Sequence, residues 1–191
     1  MSDSNTPAEV QGAGRKTLAE LNHPMNYTHS AFKEQRPANA EERQAYLYDR
    51  RMIEDLTSEY SYRVDASLAK TRNYGDLNKL FTDDAEVTSP RGKYQGNAGL
   101  AEWLLSPVSE FHRMSHLSSN HSVRFESSNV AYGRSTWQSS TGSHATDLGQ
   151  GFFTGGYYYW SFRKVDEEWK ISFLFLDMTW TSGEFPGTPA K

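Results

Sequence analysis

Near neutral pH, the groups in this chain best suited to moving a proton unaided are its six histidines and its 24 Asp and Glu side chains. A neutral imidazole is the natural general base there, since its unperturbed pKa is about 6.5. Two positions stand out by context. Asp65 follows Val64 at the margin of an apolar helical stripe, where a carboxylate can look into the edge of a pocket. Its bland alternative is a solvated or capping aspartate near a helix end. His116 opens a stretch in which His116, Ser118, Asn120, Ser122 and Arg124 alternate onto one face of a strand, and all five are polar. Such a stripe facing helices is costly unless it lines a wet or ligand-filled cavity. Val123 and Phe125 fall on the opposite face, so a bulge inverts this assignment and leaves His116 a satisfied strand-edge histidine.

Softer candidates for a pocket wall are Tyr94, Trp103, Trp137, Tyr158 and Trp160, with Asn120 from the polar stripe. Aromatic residues on strands otherwise serve as core. Asp177 shares a strand face with Phe173 and Phe175, and is either a paired structural acid or a second functional group. His112, His116 and His121 invite a metal reading, but Arg113–Ser115 looks like a helix-to-strand junction. On a regular strand His121 also points away from His116. No metal site is therefore expected. The chain has no cysteine, which rules out disulfides, thiolate catalysis and cysteine-ligated zinc. It also carries no glycine-rich dinucleotide fingerprint, so no cofactor is expected.

These residues need a scaffold, and the sequence suggests one. Residues 1–38 are polar, without sustained periodicity, and read as an N-terminal arm that is disordered alone or drapes over the domain or a neighbour. Asn39 can cap a long helix through Lys70, in which Ile53, Leu56, Tyr60, Val64 and Leu68 form one face. Asp76–Phe81 reads as a short second helix and Asn97–Leu105 as a third, halted before Pro107. Val87 begins a strand that turns at Ser89–Gly92. Leu117–Glu126, Val130–Thr141, Gly151–Val165 and Trp169–Trp180 are rich in β-branched and aromatic residues and separated by turn signals. Helices followed by a run of strands predict one α+β domain over residues 39–181, with a tail over 182–191.

The chain of 191 residues has net charge −4, with 14% aromatic and 36% apolar residues. Large rings therefore carry much of the burial, each removing roughly 150–250 Å² from water. No run of Lys or Arg suggests a phosphate-backbone footprint, so nucleic acid is not an expected partner. No apolar run is long enough for a bilayer, and the N-terminus lacks the apolar centre of a signal peptide. The expectation is a cytoplasmic protein with no membrane partner.

Several strings, in order, resemble the SnoaL-like branch of the nuclear-transport-factor-2-like superfamily. They are Ile53–Leu56 leading to Tyr62–Asp65, Leu80–Val87, Tyr94–Gly96, His116–Asn120 and Val165–Ile171, and the resemblance spans about residues 45–180. Within the branch, the strings ending at Asp65 and Asn120 are similar to lindane dehydrochlorinases. The stretch Trp169–Phe185 is similar to scytalone dehydratases. The resemblance implies a cone: a strongly curved antiparallel sheet wrapped over a long N-terminal helix and two shorter ones, with the substrate inside. It also implies a catalytic pair, Asp65 orienting His116, in which the histidine removes a proton. A carboxylate on the other ring nitrogen fixes the tautomer and stabilises the imidazolium that forms.

The departures limit what carries over. Ser89 stands where the dehydratases have a pocket tyrosine, Ser140 lies near their second pocket histidine, and Gly156 and Tyr158 fall at their polar pair. Val87 replaces a dehydrochlorinase tryptophan. The resulting expectation is a cofactor-free lyase or isomerase acting on a polyketide-like or polycyclic small molecule in secondary metabolism. It would work as a homo-oligomer, dimer or trimer. The alternatives are a small-molecule-binding module or a protein adaptor of the same fold.

Overall fold

Asn39 starts the first helix. Its Oδ1 accepts from the Glu42 N–H at 2.9 Å, and the Glu42 carboxylate reaches back to the Ala38 N–H at 2.7 Å. Donors left orphaned at the helix start are thereby satisfied reciprocally. The computed structural model describes residues 21–26, 33–67, 74–109, 111–143, 146, 149, 151–183 and 185. In it, α1 runs Ala40–Ala66 and buries Ile53, Thr57, Tyr60, Ser61 and Val64, the inward stripe of a 3.6-residue period. The helix ends short of the expected Lys70, at Ala66, where the Ser67 N–H caps it on the Arg63 carbonyl; residues 68–70 lie outside the described residues, as do 1–20 and 27–32 of the expected arm and 184 and 186–191 of the expected tail.

The second helix differs from expectation. α2 is only Tyr74–Asn78, and Phe81, placed by the sequence reading at its end, begins strand β1 (Phe81–Ser89). Phe81 is buried and in register with Ile171, so the last strand draws this stretch into the sheet. β2 (Gly92–Gln95) returns along β1 after the expected turn. α3 (Leu100–Leu105) starts later than Asn97, behind Gly99 at φ 75°, and passes into a 3-10 turn, Ser106–Val108. The four long strands are β3 (Arg113–Ser127), β4 (Val130–Gly142), β5 (Gly151–Val165) and β6 (Glu168–Gly183). The presumed junction Arg113–Ser115 is thus already strand.

The six strands lie in the order β2-β1-β6-β5-β4-β3. The expected all-antiparallel sheet is corrected at one seam: β1 pairs β6 in parallel. Each hairpin is antiparallel because a short turn reverses the chain, but β1 and β6 are far apart in sequence and no turn dictates their sense. The sheet is curved, mixed and unclosed. Register shifts at Ser119/Ser122, Phe125/Ser127, Gly155/Gly156 and Ser161/Phe162 bend the long strands, since an extra residue on one strand adds twist and bend. Gly156 is required at one of these: a Cβ there would stand 1.9 Å from the Asp177 carbonyl oxygen.

The concave face packs on α1. Tyr60 stands edge-on to Phe81, Tyr158 and Trp160 with ring centroids 6.1, 5.8 and 5.3 Å away. At the far end of the helix, Asp49 accepts from Lys164 Nζ and Trp169 Nε1, both at 2.9 Å, fixing α1 to the last hairpin. No helix among the described residues is long and apolar enough to cross a membrane.

The opposite face of the sheet is covered in part by residues 21–26. Leu21 and Met25 bury against Tyr159 and Phe175, and His23 stacks on Phe173 and lies 2.9 Å from the Trp160 carbonyl oxygen through Nε2. Burying each apolar side chain contributes roughly 1.5–3 kcal/mol. Deleting residues 1–38 is therefore expected to leave α1 and the sheet folded while lowering the melting temperature and promoting self-association. Calorimetry and size-exclusion chromatography check this, and an unchanged melt would show that the segment adds no stability.

Candidate active site

The last turn of α1 and the first residues of β3 meet at Asp65 and His116. Asp65 Oδ1 accepts from His116 Nδ1–H at 2.6 Å and its Oδ2 accepts from the His116 backbone N–H at 2.8 Å. One carboxylate thus fixes both the ring and the main chain of the histidine. The imidazole is 7% exposed and the carboxylate 22%, so the pair is largely shielded from water. With Nδ1 committed as a donor, Nε2 is the nitrogen left to accept a proton, and His116 lines a cavity of about 710 Å³.

The cavity lies between the concave sheet, the end of α1 and the α3 region. Met114, His116, Trp137, Tyr158, Leu176 and Met178 contribute from the strands, Tyr60 and Val64 from α1, and Leu104, Leu105 and Val108 from the α3 region. Phe111, Phe152 and Phe185 lie together among its lining residues, with centroids of Phe185 5.2 and 5.4 Å from the other two. Its walls are thus mostly apolar, suited to a small organic molecule. Trp137 stacks on Tyr158 at 5.3 Å and lies 6.1 Å from the His116 ring. Burial holds the Tyr60 and Tyr158 phenols well above their ordinary pKa. Both therefore act as neutral hydroxyls in the working pH range. A second concavity, about 740 Å³, is lined by His23, Asp84, Glu126 and Arg163 against the docked N-terminal segment. None of the sequence candidates lines it.

Of the residues singled out in the sequence, the structure brings together Asp65, His116, Trp137 and Tyr158. The others belong elsewhere. Tyr94 and Trp103 pack on each other at 5.3 Å, outside the cavity lining, and the Tyr94 hydroxyl donates to the Ala98 carbonyl. Trp160 is core: it lies beneath Tyr60 and Tyr158 and donates Nε1–H to Ser135 Oγ at 3.1 Å. Asp177 lies between Leu176 and Met178, which line the cavity, so strand alternation turns it to the outer face. Asn120 is exposed at φ 54° in the β3 bulge, with Nδ2–H donating to Thr136 Oγ1 at 3.4 Å. The bulge splits the polar stripe: His116 and Ser118 face inward, and beyond it His121, Val123 and Phe125 do.

His121 is consequently inside, 3.4 Å from Thr57 Oγ1 and 3.5 Å from Ser118 Oγ, rather than pointing away. Among the described residues no three His, Asp or Glu side chains converge as metal ligands. Burial lowers the His121 pKa, with the Glu54 carboxylate and the Ser118 backbone opposing it. The folded state therefore favours neutral His121 while the unfolded chain protonates near about 6.5. This contribution to stability is complete above that pH and is lost as pH falls through it toward the folded pKa. Replacing His121 with asparagine is expected to flatten the acid side of the stability–pH curve, as followed by urea denaturation between pH 5 and 8.

The sequence reading missed Ser139, Thr141, Phe152, Thr154, Leu176 and Met178 as lining residues. The signal was available: stepping by two from Trp137 reaches Ser139 and Thr141, and from Tyr158 backwards reaches Thr154 and Phe152.

The SnoaL-like domain family matches residues 45–174, more than half of the chain and including both members of the Asp65–His116 pair. The chain belongs to the SnoaL-like family. No curated protein matches it in sequence. Among solved structures, this SnoaL-like domain is similar to a protein from Novosphingobium aromaticivorans provisionally assigned as a scytalone dehydratase. The two are 26% identical with a TM-score of 0.63, over 78% of this chain and 99% of that one. A type 2 hexachlorocyclohexane dehydrochlorinase is also 26% identical, with a TM-score of 0.61 over 78% of this chain and 97% of the other. The type 3 dehydrochlorinase from Novosphingobium barchaimii is 26% identical, with a TM-score of 0.61 over 76% and 95%. The domain thus shares its fold with proteins named for elimination reactions.

Proposed function

We propose that this SnoaL-like domain is a lyase or isomerase whose general base is His116, held by Asp65, acting on a polyketide-like or polycyclic molecule in secondary metabolism. The observation that carries the reading is the double grip of Asp65 on His116, which commits Nδ1 and leaves Nε2 for a molecule in an apolar cavity. In the reaction, Nε2 takes a proton from the substrate and the Asp65 carboxylate stabilises the imidazolium. The neutral Tyr158 and Tyr60 hydroxyls supply hydrogen bonds rather than charge. The outcome is elimination if a group departs from the neighbouring carbon, and isomerisation or cyclisation if the electron pair is used elsewhere. The residues present require no metal or cofactor for this step, so treatment with a chelator is expected to leave turnover unchanged.

The apolar rings Phe153, Tyr157 and Trp180 remain exposed on the outer face and fit a homo-oligomer, dimer or trimer, through the sheet. Light scattering measures that directly. A second reading is a non-catalytic binding module or protein adaptor. It is favoured by the bond from Asp65 to the His116 backbone, which would tie α1 to β3 even if no reaction occurred. A panel of polycyclic ketones and β-substituted ketones incubated with the protein in D2O separates the two. Deuterium uptake or group loss that disappears in His116→Ala supports the enzyme; binding without either supports the module.

A further inference from the structure

The cavity holds two buried polar groups that nothing among the described residues satisfies. Trp137 is 3% exposed and Ser139 4% exposed, both line the cavity, and neither Trp137 Nε1 nor Ser139 Oγ has a hydrogen-bond partner. Their neighbours in the wall are committed. Thr141 Oγ1 donates to the Phe152 carbonyl at 2.6 Å and Thr154 Oγ1 to the Trp180 carbonyl at 3.2 Å. Ser89 Oγ accepts from the Arg91 N–H, and Ser106 Oγ donates to the Trp103 carbonyl. An unsatisfied buried donor is costly, and buried polar groups are ordinarily paired, so two adjacent exceptions in a cavity wall mark where a ligand atom belongs.

The chemistry of that atom follows from the donors. An indole N–H can only donate, so the atom is an acceptor, and the serine hydroxyl can turn to donate to it as well. Arg91 is the one Lys or Arg among the described lining residues, and its guanidinium is engaged with the Trp103 carbonyl and Ser106 Oγ. Among the described lining residues no free cation stands beside Trp137 and Ser139 to balance a carboxylate, so a neutral acceptor fits the site best. Ser139 stands directly opposite His116 across the β3–β4 ladder. Directly opposed residues have Cβ atoms about 4.5–5.5 Å apart. The base and the serine donor therefore rise side by side from neighbouring strands, with Trp137 two residues along on the same face, so all three can address one ligand.

We propose that Trp137 Nε1–H and Ser139 Oγ–H hold the carbonyl oxygen of a neutral, largely apolar ketone or related carbonyl compound whose neighbouring C–H is the one His116 attacks. This rests on the reading of His116 as general base and names the substrate class for it. The C–H bond breaks, its proton passes to His116 Nε2, and its electron pair forms the C=C bond of an enolate. The negative charge then collects on the oxygen held by Trp137 and Ser139. No oxidant or reductant enters. The two donors meet their strongest acceptor only as that charge develops, which is how a pre-organised donor pair accelerates a reaction rather than merely binding its substrate.

The test uses 2-tetralone and tetralin, bicyclic probes of similar shape with and without a carbonyl beside acidic C–H bonds. Wild-type full-length protein is expected to bind 2-tetralone about tenfold more tightly than tetralin, with the Trp137 indole N–H resonance moving downfield. It is also expected to exchange the α-protons of 2-tetralone in D2O. Trp137→Phe and Ser139→Ala should each remove most of the binding preference and slow exchange by about 10²–10³-fold, as loss of one oxyanion donor does. Their melting temperatures should hold or rise, because an unsatisfied polar group is removed. A wild-type protein with no preference for the ketone overturns the proposal on its own, whatever the variants do. If His116→Ala abolishes exchange while Trp137→Phe and Ser139→Ala exchange at wild-type rate, the donor pair is overturned and the general base stands. If the preference depends on both donors but His116→Ala exchanges like wild type, the carbonyl site stands and the base reading fails.

Discussion

Replacing His116 with alanine is expected to lower turnover by about 10²–10⁴-fold, the range supplied by a positioned general base. The fall should appear in kcat more than in KM, because the imidazole acts on the proton in flight rather than on the body of the substrate. The apolar walls from Met114, Leu176, Met178 and Phe152 stay in place, so ligand binding should persist. Loss of binding together with turnover would mean that His116 shapes the cavity instead of reacting in it. The measurement is single-turnover kinetics beside a binding titration on the same variant. Turnover near the wild-type rate would show that the Asp65–His116 contact is structural and that the chemistry lies elsewhere in the cavity.

Asp65→Asn is expected to reduce turnover by a similar order, for a different reason. The wild-type carboxylate accepts twice, from Nδ1–H and from the His116 backbone N–H. An asparagine has one oxygen. If it keeps the backbone bond, its NH2 group faces Nδ1 and favours the tautomer with the proton on Nε2, which can no longer act as a base. The fold should survive with little change because the α1–β3 tie is kept. Asp65→Ala instead leaves the His116 backbone N–H unpaired and is expected to cost about 1–3 kcal/mol of stability as well. Because the two residues act as one unit, the double variant His116→Ala, Asp65→Asn should be scarcely slower than the slower single variant. Additive losses would show two independent roles. A chemical denaturation series beside the kinetics separates the catalytic effect from the structural one.

Much of the arrangement was legible in the residues themselves. Asn39 as a helix cap, the stripe Ile53–Tyr60–Val64 and the turn signals between the long strands are local features. They report local structure because capping, helical period and hairpin reversal each depend on a few neighbouring residues. The resemblance carried by five ordered strings pointed to Asp65 and His116, and the two side chains are hydrogen-bonded in the fold. Trp137 and Tyr158 were legible as candidates, although nothing local distinguished them from Trp160. All three are large rings on strands, and only their depth beneath Tyr60 or beside the cavity separates wall from core.

What the tertiary structure decided were the features that depend on residues far apart in sequence. The parallel seam of β1 on β6 has no turn to announce it, and it converts Phe81 from a presumed helix end into a strand. The β3 bulge between Ser119 and Ser122 is one extra residue with no local signal to mark it. Because side chains on a strand have a period of two, that single residue sends Asn120 out and His121 in. Asp177 sits on the same strand as two cavity residues and is excluded by phase alone. Ser139 is an unremarked serine in the sequence and becomes chemically distinctive only when it stands opposite His116 with no partner of its own. Residue type and spacing therefore determined which groups could move a proton. Sheet curvature, register and bulge determined which of them face the same cavity, since convergence in space is set by long-range pairing that no local window contains.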